Sequence, residues 1–93
     1  MSDFQQRMQA LRQRFIGEAE GDAAELERHA AGRAWTQVRD ISHRVAGRAG
    51  MFGFPELTDL ARELEESVDA AAPSAALHSL AEDLIRQLRG LGG

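Results

Sequence analysis

His43 is the residue of this chain best placed to do chemistry. It stands in the run Ile41-Ser42-His43-Arg44-Val45-Ala46-Gly47-Arg48-Ala49-Gly50-Met51-Phe52-Gly53-Phe54. On a helical wheel of about 100° per residue, Val38, Ile41, Val45, Ala49 and Phe52 lie about 120–180° away from it. The imidazole therefore faces water, opposite the apolar stripe. Arg39, Asp40, Gly47 and Gly50 fall within about 60° of it on the same wheel. Helical side chains lean toward the N-terminus, so the ring leans toward Arg39 and Asp40, and Gly47 leaves bare backbone one turn above. Glycine inside a helix costs about 1 kcal/mol relative to alanine. Two glycines on the histidine's own face mark steric access. A neutral imidazole is a nucleophile near pH 7, so this one is placed to accept a group carried in by a docking partner. No two of the three histidines are spaced i, i+4, which leaves a helical metal site unsupported. His29 and His78 read as surface or boundary residues.

The elements that must hold His43 are helical. Ala, Leu, Arg, Glu and Gln dominate, strand-forming residues are few, and no run alternates. Apolar spacings of three and four outline four segments. The first carries Phe4, Met8, Leu11, Phe15, Ala19, Ala23, Leu26 and Ala30. It is either one long helix bent near Gly17–Gly21 or two helices in sequence, with Asp22 and Glu25 forming a capping box for the restart; Gly32 ends it. The second runs from about Ala34 to Phe52, with Trp35 and Ser42 at the edge of its stripe and Gly53 closing it. The third starts at Pro55, which suits a first helical turn, and reaches about Ala71, with Leu57, Leu60, Ala61, Leu64, Val68 and Ala71 inward. Pro73 breaks the chain, and Ser74 is expected to cap the fourth segment, which carries Leu77, Leu80, Ala81, Leu84, Leu88 and Leu91. Links this short pack helices antiparallel. The expected fold is all-α, an antiparallel up-down four-helix bundle. Met8, Met51, Phe4, Phe15 and Phe52 read as core or core-edge packing, and Phe54 as core.

The 93 residues make one small domain, residues 1–93. There is no cysteine, so neither disulfides nor thiolate chemistry are available. No apolar stretch approaches the roughly 20 residues of a membrane span, and the N-terminus is not signal-like; the expectation is a cytoplasmic protein, monomeric, without membrane partners. The net charge of −4 argues against nucleic acid. The charge is uneven. From Arg33 to Phe54 four arginines (33, 39, 44, 48) outweigh Asp40, whereas from Pro55 to Ala72 six acids (56, 59, 63, 65, 66, 69) face only Arg62. All eleven cations are arginine. The Met1 start and the Gly92-Gly93 end read as those of a free-standing protein.

His43-x-x-x-Gly47 followed by Gly50 and Gly53 resembles a histidine-containing phosphotransfer (HPt) domain, and the Gly50-Met51-Phe52-Gly53-Phe54 ending resembles the phosphotransfer domain of chemotaxis histidine kinases. The resemblance covers roughly Leu26 to Val68. It implies a phosphorelay intermediate rather than an enzyme: Nε2 of His43 accepts a phosphoryl group from a histidine kinase, a hybrid kinase or a receiver domain and passes it to a response-regulator aspartate. No cofactor of its own is implied; the receiver would supply Mg²⁺. In chemotaxis-kinase relatives a glutamate at the spacing of Glu65 hydrogen-bonds the other ring nitrogen, so Glu65 would orient the imidazole. The position three after the histidine is commonly lysine, and here it is Ala46. Arg39 is one replacement for that charge. Arg62 is another, on a stripe of Thr58, Arg62, Glu65 and Asp69 beside the core face of the third helix. Arg44 and Arg48, about 100° and 140° round the helix from His43, are expected to meet the partner or the acidic third helix.

The Ala46 departure motivates an alternative, an HPt-like interaction module that binds a receiver or kinase without carrying phosphate. A helical dimerisation bundle is a third reading, because the apolar spacing of the first helix could extend to a partner chain. The basic segment either complements an acidic receiver pocket or is incidental.

Overall fold

The computed structural model describes residues 2–92. Among them the chain forms four helices and no strand: α1 Asp3–Ala31, α2 Trp35–Met51, α3 Pro55–Asp69 and α4 Ser74–Leu91. Each helix packs against its two neighbours in cyclic order. Cross-helix pairs give the directions. Phe15 meets Phe52, Glu18 meets Arg48 and Asp22 meets Arg44, so α1 and α2 run oppositely. Arg39–Asp69 and His43–Glu65 give the same relation for α2 and α3.

Helix α1 is one unbroken helix of 29 residues, so the expected restart is absent. Gly17 and Gly21 sit in open space within it. Asp22 and Glu25 cap nothing; both carboxylates reach Arg44 of α2. The true start is a capping box at Ser2, whose Oγ accepts from the Gln5 N–H while the Gln5 side chain accepts from the Ser2 N–H. At about 1.5 Å per residue α1 is far longer than its partners, which span 15 to 18 residues, and the molecule measures 48 × 22 × 18 Å. The beginning of α1 therefore overhangs the bundle. Phe4 is 70% exposed and Leu11 43%, although both continue the core stripe of Phe15, Ala19, Ala23, Leu26 and Ala30. The apolar spacing continues to Phe4, but the first turns of α1 run past the bundle. Met51, at the end of α2, is also exposed.

The core draws on every helix: Phe15, Leu26, Val38, Val45, Leu64, Leu84 and Leu88 are almost wholly buried. Phe15 stacks at a tilt on Phe52 and Phe54, with centroids 5.9 and 5.7 Å away, and the Arg12 guanidinium covers the other ring at 4.7 Å from the Phe54 centroid. Ser42 is fully buried because its hydroxyl donates to the Val38 carbonyl inside its own helix, at 2.7 Å.

The helix ends depart from expectation in three places. Gly32 does end α1, but Arg33, not glycine, takes the left-handed conformation, at φ 54°. Ala71 adopts the same φ beyond the end of α3 and is exposed rather than inward. Ser74 is the first residue of α4 and makes no cap; Pro73 precedes the helix.

Candidate functional site

His43 stands midway along α2, its side chain 72% exposed. Its neighbours Ser42, Val45 and Ala46 are buried, which fixes the rotation of the helix and holds the imidazole outward. The ring is not left to turn freely. Nδ1 lies 2.6 Å from Oε2 of Glu65 on α3, whose side chain is only 19% exposed. An ionised carboxylate can only accept, so Nδ1 carries the proton and donates it. Nε2, the other nitrogen, is then the one with a lone pair, and no hydrogen bond from the described residues engages it.

Glu65 belongs to a stripe of α3 of which Thr58, Glu65 and Asp69 meet residues of α2. Asp69 accepts from Nε of Arg39 at 2.7 Å, and Asp40 accepts from the same guanidinium at 3.4 Å. The hydrogen bond to Asp69 pushes the Arg39 guanidinium to still firmer protonation. Thr58 is buried at the other end, where its side chain lies 3.7–3.8 Å from the place a Cβ on Gly50 would occupy. Arg62, between Thr58 and Glu65, is exposed.

The two site glycines differ in surroundings. A Cβ at Gly47 would meet nothing within 4 Å, so the space one turn above the imidazole is open. Gly50 is also exposed, but a Cβ there would come into ordinary van der Waals contact with the Thr58 side chain, at 3.7–3.8 Å.

Arg44 and Arg48 do not reach α3. Arg44 donates to Asp22 at 3.3 Å and lies 3.6 Å from Glu25, and Arg48 donates to Glu18 at 3.1 Å. Their angular position on α2 turns them to α1, on the far side from Glu65. Asp22 has the spacing of a helix cap in the sequence, yet it lies in the α1–α2 seam against Arg44. It is buried, one of its oxygens has no hydrogen-bond partner, and desolvation raises its pKa despite the Arg44 guanidinium beside it. His78 is half-buried, edge-on to Trp35 at 4.9 Å between centroids. Among the described residues no three His, Asp or Glu side chains converge as a metal site would require, and no helix is long and apolar enough to cross a membrane.

The fold and site are those of a helical bundle that presents an exposed histidine, its Nδ1 held by a carboxylate from the next helix. The model of the Hpt domain matches residues 10–91, and the chain belongs to that family. Hpt domains are phosphocarriers of two-component signalling that interact with kinases and receiver domains. No curated protein and no solved structure matches the chain significantly.

Proposed function

We propose that the protein carries a phosphoryl group on Nε2 of His43 in the cytoplasm, receiving it from a histidine kinase or a receiver domain and delivering it to a response-regulator aspartate. The observation that carries this reading is the 2.6 Å contact between Nδ1 of His43 and the Glu65 carboxylate, which supports a neutral ring that donates from Nδ1 and keeps its Nε2 lone pair for the partner. In the acceptor step that lone pair attacks the phosphorus of an aspartyl phosphate. The new P–N bond forms as the P–O bond breaks, and the electron pair leaves with the aspartate carboxylate. The ring's positive charge is met by Glu65 across the retained Nδ1–H, and the return step reverses these changes. A receiver would hold the magnesium that neutralises the transferring oxygens; this chain supplies nucleophile, orientation and access over Gly47.

A carboxylate drawn into the α2–α3 seam to orient one exposed imidazole supports a carrier over a module that merely docks, since docking alone asks for no tautomer. The test is phosphotransfer from labelled receivers and kinases of the source organism. The expected product is an acid-labile, alkali-stable phosphoryl that is absent from His43→Gln. Failure of every donor to label the wild-type protein, with receiver binding intact, would establish the interaction module instead.

A further inference from the structure

We propose that Arg62 is the cation that holds the phosphoryl oxygens on His43, an inference that rests on His43 being the acceptor. The first ground is charge accounting. A phosphoryl group on Nε2 brings up to about two negative charges at neutral pH, across the ring from the Glu65 carboxylate, and a nearby cation would stabilise it. The arginines of α2 are already engaged. Arg39 is held by Asp69 and Asp40, Arg44 by Asp22 and Glu25, and Arg48 by Glu18. Among the described residues of α2 and α3, Arg62 is the one arginine without a carboxylate partner.

The second ground is register. Arg39 pairs with Asp69, His43 with Glu65, and Gly50 abuts Thr58. Each step along α2 is matched by an equal step back along α3. That pairing puts Arg62 opposite Ala46, one turn from the His43–Glu65 pair. Ala46 is 5% exposed, so its Cβ lies in the packed seam and carries no charge, and the cation at this level of the site comes from the facing helix. A Cβ on Gly47 would meet nothing within 4 Å, so the space one turn above the imidazole is open to the phosphoryl group. The guanidinium's planar fork can take two phosphoryl oxygens at once; it makes and breaks no bond in the transfer.

The experiment uses the whole protein and potassium phosphoramidate, which phosphorylates imidazole with loss of ammonia, read by ³¹P NMR and labelling rate. Loss of a donor from a buried oxyanion site costs 10²–10³ in rate; on this exposed face the Arg62→Gln loss is expected to be about 10-fold. Removing the cation also raises the pH at which the bound phosphoryl group titrates, a shift that a purely structural role would not produce. Arg62→Lys should retain most of the rate. Circular dichroism confirms the fold of each variant. Arg62→Gln labelling at the wild-type rate with an unmoved phosphoryl titration would overturn the role of Arg62 while leaving His43 as acceptor. Absence of label from the wild-type protein would instead overturn the acceptor reading.

Discussion

Glu65 and His43 are joined at 2.6 Å across the α2–α3 seam, the carboxylate largely sheltered and the imidazole largely exposed. In the proposed transfer, Glu65 positions the ring and Nε2 meets the partner. Glu65→Ala is expected to slow phosphotransfer by about 10- to 100-fold, the usual range for partners that orient a functional histidine. In ¹⁵N NMR of the ring, the variant should lose the preference for the Nδ1–H tautomer. An unchanged pattern would show that the contact does not govern the proton.

Gly47 separates stability from function. A Cβ there meets nothing within 4 Å, so Gly47→Ala should raise stability toward the propensity gain of about 1 kcal/mol. Gly47→Leu should fold as well and yet transfer far more slowly, because its side chain fills the approach to Nε2. Thermal melts and transfer rates measured on the same samples check both halves.

The two ends of the α1 stripe should respond in opposite ways. Leu26, fully buried, should cost about 2–5 kcal/mol as Leu26→Ala. Phe4, 70% exposed on the overhang, should cost within about 0.5 kcal/mol as Phe4→Asp. Urea denaturation of the two variants is sufficient to compare them.

Asp22 predicts a pH dependence. Burial raises its folded-state pKa above the ordinary carboxylate value of 3.8. The folded protein therefore binds this proton more tightly than the unfolded chain, and the contribution of Asp22 to stability falls as pH rises through the window between the two pKa values. Asp22→Asn removes that slope, so its stability relative to wild type should improve from acid toward neutral pH. Denaturant melts of both proteins across this range measure it; a difference that stays constant with pH would contradict the assignment.

Much of the site could be read from residue order because it lies on single helices. The rotation of α2 follows from the spacing of Val38, Ile41, Val45 and Ala49, and it places His43 outward and Gly47 beside it without reference to any other element. Pro55 and the spacing of Leu57, Ala61 and Leu64 likewise locate α3 and its flanking stripe. Local chemistry misled where tertiary contact decided otherwise. Asp22 and Glu25 had the spacing of a cap, but Arg44 draws both into the α1–α2 seam. Arg44 and Arg48 had the sign to meet α3, but their angle on α2 delivers them to α1.

The sequence by itself determined an all-α chain, the apolar faces of its helices and an imidazole turned to water, since helical periodicity is a property of neighbours in the chain. Only the tertiary structure decided how far α1 runs past the bundle, which acids claim which arginines, and the register that sets Glu65 against His43 and Thr58 against Gly50. Those relations join residues on different helices, and their register is set by how the side chains of both interlock, which no single helix encodes.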